Sequence, residues 1–170
     1  MLPFSRPVLV VDDCRSAAFI VQRLLNRIGF SEVDVRHSAE EGHFELQRRA
    51  YAFAVVDIEM PSSSGLEMLS QIRRKPRTWD LPVLLTTGNP QCVASGNAMV
   101  FRMAPTSFIL KPFSCVDLKR KLSEMLEQPF AREELLPSEM ARKYHEWAPS
   151  GRRRELESTL LTRIKRATSM

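Results

Sequence analysis

Three uninterrupted apolar runs constrain this chain more than any other feature: PVLVV at 7–11, AFAVVD at 52–57 and LPVLLTTG at 81–88. A strand that shows one face to water alternates polar and apolar residues; these runs do not. Such strands must be covered on both faces, which is the condition of a parallel sheet packed between helices. Helix-like segments fall between the runs. RSAAFIVQRLLNRIGF (15–30) places Ala17, Ile20, Val21, Leu24, Leu25 and Ile28 at helical spacing, with Gly29 as a stop. Ser38 followed by Glu41 is a capping-box pattern opening a helix to about Arg49. Gly65 precedes the amphipathic LEMLSQIRR, Asn89-Pro90 opens another helix, and Ser114 caps CVDLKRKLSEMLEQ. EVDVR (32–36) alternates as an edge strand does, and TSFIL (106–110) is the last strand. Five strands alternating with five helices predict right-handed crossovers and a doubly wound α/β sheet.

Composition narrows the setting. At 170 residues and 44% hydrophobic content the chain supports one domain with an appendage. No apolar run approaches the roughly 18 residues that span a bilayer, and the N-terminus lacks a secretory pattern. Cys14, Cys92 and Cys115 match neither a disulfide framework nor a zinc site, so a cytoplasmic setting is expected. The net charge of +5 is modest. The nine basic residues of 131–170 alternate with six acidic ones, as on a solvated helix.

The polar residues of interest all follow apolar runs. Asp12 and Asp13 end the first strand, Asp57 the third, Thr87 the fourth and Lys111 the fifth. In a parallel sheet these ends share one edge, where doubly wound folds place their sites. One carboxylate pair at about 4 Å costs on the order of 4 kcal/mol at an effective dielectric of 20. A hard divalent cation such as Mg²⁺ relieves that repulsion, and Lys111 adds a second positive charge. A carboxylate, a divalent ion, a lysine and a hydroxyl suit phosphoryl transfer with an aspartate nucleophile. The histidines at 37, 43 and 145 lie outside this set.

With VLVVDD, DIEMPSSSGLEML, PVLLTTG and FILKPF in order, residues from about Pro7 to Gln128 resemble the receiver domain of two-component response regulators. The resemblance implies a flavodoxin-like sheet of order 2-1-3-4-5 over residues 1–128, with 129–170 as a helical C-terminal extension or connector. It implies that Asp57 accepts a phosphoryl group from a sensor histidine kinase, a histidine phosphotransfer protein or a small phosphodonor. Asp12, Asp13, Asp57 and the main-chain carbonyl of Glu59 would hold Mg²⁺. Lys111 would pair with the phosphoryl oxygens, and Thr87 would hydrogen-bond one of them. Phe108 would be the switch aromatic that turns inward as Thr87 moves, and Lys111-Pro112 would be cis. Phe108 stands where tyrosine is frequent, Gly88 where alanine is usual, and Pro105 where alanine is common. The family's members are switches with intrinsic phosphorylation chemistry, not turnover enzymes.

Each residue has a blander reading. Asp57 alone would be a turn former, Phe108 plain core, Lys111 a solvated lysine and Cys14 a small helix-opening residue. Thr86 could serve in place of Thr87. In the tail, Met140, Tyr144 and Trp147 share one helical face, and Leu156, Leu160, Leu161 and Ile164 form a stripe. These helices either pack on the receiver or form a dimerising connector; a homodimer through them or through the receiver is one partner expectation. Arg152 to Arg154 are basic, but there is no helix-turn-helix pattern, which argues against direct DNA binding. Two alternatives stand beside the phosphorylation switch: a receiver-fold adaptor that works without phosphate, and an N-terminal receiver of a longer regulator. A hydrolase of the haloacid type would need Asp at position 59, where this chain has Glu59.

Overall fold

The computed structural model describes residues 6–89, 91 and 105–126. Chain order is β1 (Val8–Val11), α1 (Arg15–Ile28), β2 (Val33–Arg36), α2 (Ala39–Arg48), β3 (Ala54–Asp57), α3 (Gly65–Arg74), β4 (Val83–Thr87), β5 (Thr106–Leu110) and α4 (Cys115–Leu126). The expected helix after Asn89 and the tail from 127 onward lie outside the described residues. What is visible of that helix is its cap: Asn89 Oδ1 accepts from the Gln91 N–H at 3.0 Å.

All five strands pair in parallel in the order β2-β1-β3-β4-β5. The three apolar runs became the three central strands, and every residue of β1, β3 and β4 is buried. Period-two alternation splits them between two cores. Val8, Val10, Val55, Leu84 and Ile109 face α1 and α4; Leu9, Val11, Val56, Val83 and Leu85 face α2 and α3. Each fully buried Val or Leu contributes about 1.5–3 kcal/mol relative to exposure, so a polar interruption in these runs would be expensive. The alternating EVDVR segment lies at the sheet edge as β2, half-buried throughout.

The helix signals hold with small shifts. Gly29 ends α1 at φ 120°, and its N–H reaches the Asn26 and Leu25 carbonyls. Ser38 caps α2 through Glu41 N–H at 3.2 Å. At α4 the Ser114 hydroxyl accepts from the Asp117 N–H while Asp117 Oδ2 accepts from the Ser114 N–H. The start of α3 differs from expectation. Gly65 is its first residue, and Ser64 is the cap, in a reciprocal box with Glu67. At its other end, Arg73 is 1% exposed. Its guanidinium donates to the carbonyls of Trp79 and Leu81 and to Thr106 Oγ1 at 2.8–3.0 Å, tying α3 to the starts of β4 and β5. Burial pulls this guanidinium below its ordinary pKa, and the charge of Asp80 offsets part of that.

Candidate functional site

The carboxyl edge of the sheet gathers four of the expected residues. Asp12 lies one residue past β1, Asp57 ends β3 and Lys111 lies one residue past β5; alternation puts all three on the α1–α4 face. Asp13 follows Asp12 and is exposed. One oxygen from each of Asp12, Asp13 and Asp57 lies within 4.8 Å of the others. Lys111 Nζ sits 2.9 Å from Asp12 Oδ2 and 2.9 Å from Asp57 Oδ1. The Lys111–Pro112 bond is cis.

Two of the carboxylates are deeply buried: Asp12 is 2% and Asp57 4% exposed. Burial raises the pKa of Asp57; Lys111 lowers it again in part, Asp12 raises it further, and the Thr86 hydroxyl lowers it a little. Burial pulls Lys111 down, but its bonds to Asp57 and Asp12 outweigh that, leaving its pKa above the ordinary lysine value. Three carboxylates and one ammonium leave a formal charge of −2 in a cluster of hard oxygen donors. That donor set and that charge fit a small divalent cation.

The surroundings hold the acids in place. Asp12 Oδ1 accepts from the Cys14 N–H at 2.9 Å, and His37 Nδ1 lies 3.0 Å from the Asp12 carbonyl. Gly65 brings α3 against the backbone of Asp57: its N–H donates to Ile58 O at 3.0 Å. A Cβ added at Gly65 would lie 2.1 Å from the Asp57 carbonyl oxygen. Only glycine permits that approach.

The two threonines divide as strand alternation requires. Thr86 pairs with Asp57 in register and donates its hydroxyl to Asp57 Oδ1 at 3.1 Å. Thr87, on the opposite face, donates to Asn89 O at 3.0 Å and accepts from the Asn89 N–H at 2.9 Å. Counting residues from Leu84 would have separated them. Glu59 lies in the loop after β3, and its side chain reaches the Gly88 N–H at 2.8 Å, a contact the sequence did not suggest. Phe108 is 41% exposed, turned away from the core. Among the described residues no helix is long and apolar enough to cross a membrane. Cys14 and Cys115 are both free; Cys92 lies outside the described residues.

A flavodoxin-like doubly wound sheet with an acidic, lysine-bridged pocket at its carboxyl edge defines the class of protein. The chain belongs to the response regulator receiver domain family, whose profile matches residues 8–123. It is 30% identical over 124 residues to chemotaxis protein CheY-3 of Vibrio cholerae, covering 71% of this chain and 92% of that one. Response regulator TrrA of Thermotoga maritima, crystallised with Mg²⁺-BeF, superposes with a TM-score of 0.61 at 27% identity, covering 71% of this chain and 98% of that one. Chemotaxis protein CheY4 of Vibrio cholerae superposes at 0.62 and 27%, with the same coverage of 71% and 98%.

Proposed function

We propose that this chain is a phosphorylation-controlled switch in which Asp57 accepts a phosphoryl group from a histidine kinase, a histidine phosphotransfer protein or a small phosphodonor. The observation that carries this reading is the convergence of Asp12, Asp13 and Asp57 on Lys111 at one strand edge. Among the described residues, Lys111 and Thr86 both bond Asp57 through Oδ1, which leaves Oδ2 as the attacking oxygen. In the transfer, the Oδ2–P bond forms as the donor's P–N or P–O bond breaks, and the donor group leaves with the bonding pair. An ionised Asp57 carboxylate has no proton to lose, so its attack needs no base. Lys111 would neutralise a phosphoryl oxygen. Asp12, Asp13, Asp57 and the Glu59 carbonyl would hold Mg²⁺. A bound Mg²⁺ would supply charge neutralisation to the acids and to the incoming group. Thr87 is the hydroxyl read as the phosphoryl's later partner, with Phe108 as the aromatic that follows it. The acceptor is itself the modified species, so the chain is not a turnover enzyme.

The test is incubation with acetyl phosphate and Mg²⁺ followed by intact mass measurement. One added phosphoryl group in the wild type, and none in Asp57→Asn or in EDTA, is expected. No addition to the wild type, or equal addition to Asp57→Asn, rejects the reading and leaves a phosphate-independent adaptor.

A further inference from the structure

The Glu59 side chain makes a contact at this edge that the phosphoacceptor reading does not use. From the loop after β3 its side chain reaches the end of β4, where Oε2 accepts from the Gly88 N–H at 2.8 Å. Thr87 Oγ1 lies 3.4 Å from the same oxygen. Among the described residues, a Cβ built at Gly88 meets Glu59 Oε2 alone, at 3.4 Å. The carboxylate therefore sits over the opening that glycine leaves at the end of β4.

A main-chain N–H carries one hydrogen, and so does a hydroxyl. The Gly88 hydrogen is on Glu59. The Thr87 hydroxyl has Asn89 O at 3.0 Å and Glu59 Oε2 at 3.4 Å as acceptors, and the Asn89 N–H returns a bond to Thr87 at 2.9 Å. The Gly88 N–H and the Thr87 hydroxyl are thus both occupied by the chain's own groups. If Thr87 is to donate to a phosphoryl oxygen on Asp57, its present bond must break. An incoming phosphoryl group and the Glu59 carboxylate are both anions, and one N–H cannot serve both.

We infer that the Glu59 side chain is a tethered competitor of the phosphoryl group. It holds the Gly88 N–H, and with it the residues that follow β4, in the unphosphorylated arrangement, and it is expelled when Asp57 is modified. The inference rests on Asp57 being the acceptor. Expulsion is cheap for Glu59 itself, because its residue is exposed and the freed carboxylate moves into water. Phosphorylation supplies the drive, since it adds roughly −1.5 to −2 charge units at the same edge of the sheet.

Beryllofluoride, an anion that takes the phosphoryl group's place on a carboxylate, is the probe. Its affinity in Mg²⁺ is measured for the full chain and for Glu59→Ala, Glu59→Gln and Asp57→Asn. The Gly88 amide is followed by NMR in the ligand-free proteins. In Glu59→Ala the Gly88 amide should shift and exchange faster, and beryllofluoride should bind roughly three- to tenfold tighter, the worth of about one net hydrogen bond. Glu59→Gln keeps an acceptor oxygen without the charge and should fall between. An unmoved Gly88 amide in Glu59→Ala, or wild-type affinity there, overturns the competitor alone. So does a Gln variant that matches Ala in affinity while keeping the amide in place, since the gain then comes from charge at a distance. Binding by none of the proteins overturns the phosphoacceptor reading, and the competitor with it.

Discussion

Replacing Gly65 by alanine tests the contact that seats α3 against the candidate acceptor. An added Cβ would lie 2.1 Å from the Asp57 carbonyl oxygen, 2.9 Å from its carbon and 3.0 Å from the Ile58 Cα. An ordinary contact begins near 3.4 Å. The helix start and the strand end would therefore have to part by about 1.3 Å, and every obstacle is backbone that no rotamer change can move. Overpacking costs about 1–3 kcal/mol, and the strained Gly65 N–H bond to Ile58 O adds about 1 kcal/mol. The better helix propensity of alanine returns at most about 1 kcal/mol. The net is a loss of about 1–3 kcal/mol, read in urea as a midpoint lower by about 0.5–1.5 M at unchanged slope. Gly42→Ala is the control, because its Cβ would meet the tips of Met68 and Val11, at 2.6 and 2.9 Å. The Met68 tip can turn aside and the Val11 methyl yields less, but no backbone stands in the way, so that variant should lose less than Gly65→Ala in the same assay. A Gly65→Ala protein as stable as wild type would refute the reasoning.

Further expectations follow from the same geometry. Burial holds the Asp57 pKa above its unfolded value, so its contribution to stability is present below the ordinary carboxylate range and is lost as pH rises through the raised value. Without divalent ions, Asp57→Asn should therefore melt higher than wild type at pH 7, with the gap closing below about pH 4; melting curves with added Mg²⁺ should raise the wild type and not the variant. Lys111→Met leaves the acids without their ammonium and should cost about 1.5–3 kcal/mol in EDTA, part of it restored by Mg²⁺ in the same denaturation assay. Arg73→Lys cannot span the Trp79 and Leu81 carbonyls and Thr106 with a single ammonium, and should cost about 2–4 kcal/mol by thermal unfolding.

How far the sequence could be read depended on the range of the interactions involved. Strands β1, β3 and β4 were legible because burial on both faces leaves an uninterrupted apolar run in the chain itself. The gathering of Asp12, Asp57 and Lys111 was legible because a parallel sheet puts all strand ends on one edge. The strand order was not, since spacing does not say on which side of β1 the next strand pairs; it came with the family resemblance. The partition of Thr86 and Thr87 follows from alternation along β4, whereas the motif alone favours Thr87 and leaves Thr86 beside it as a second hydroxyl. The Glu59–Gly88 bond was not available at all. It joins residues 29 apart through a loop whose path is set by Gly65 against the Asp57 backbone. The Ser64–Glu67 box lay in plain view and moves the start of α3 by one residue.

The most direct measurement locates the modified residue. Borohydride reduces an aspartyl phosphate to homoserine, which peptide mass spectrometry places in the chain. After exposure to acetyl phosphate and Mg²⁺, homoserine at position 57 alone is the predicted result. Homoserine at position 12 or 13, or a phosphoryl group that resists reduction because it sits on a threonine hydroxyl, would contradict the account.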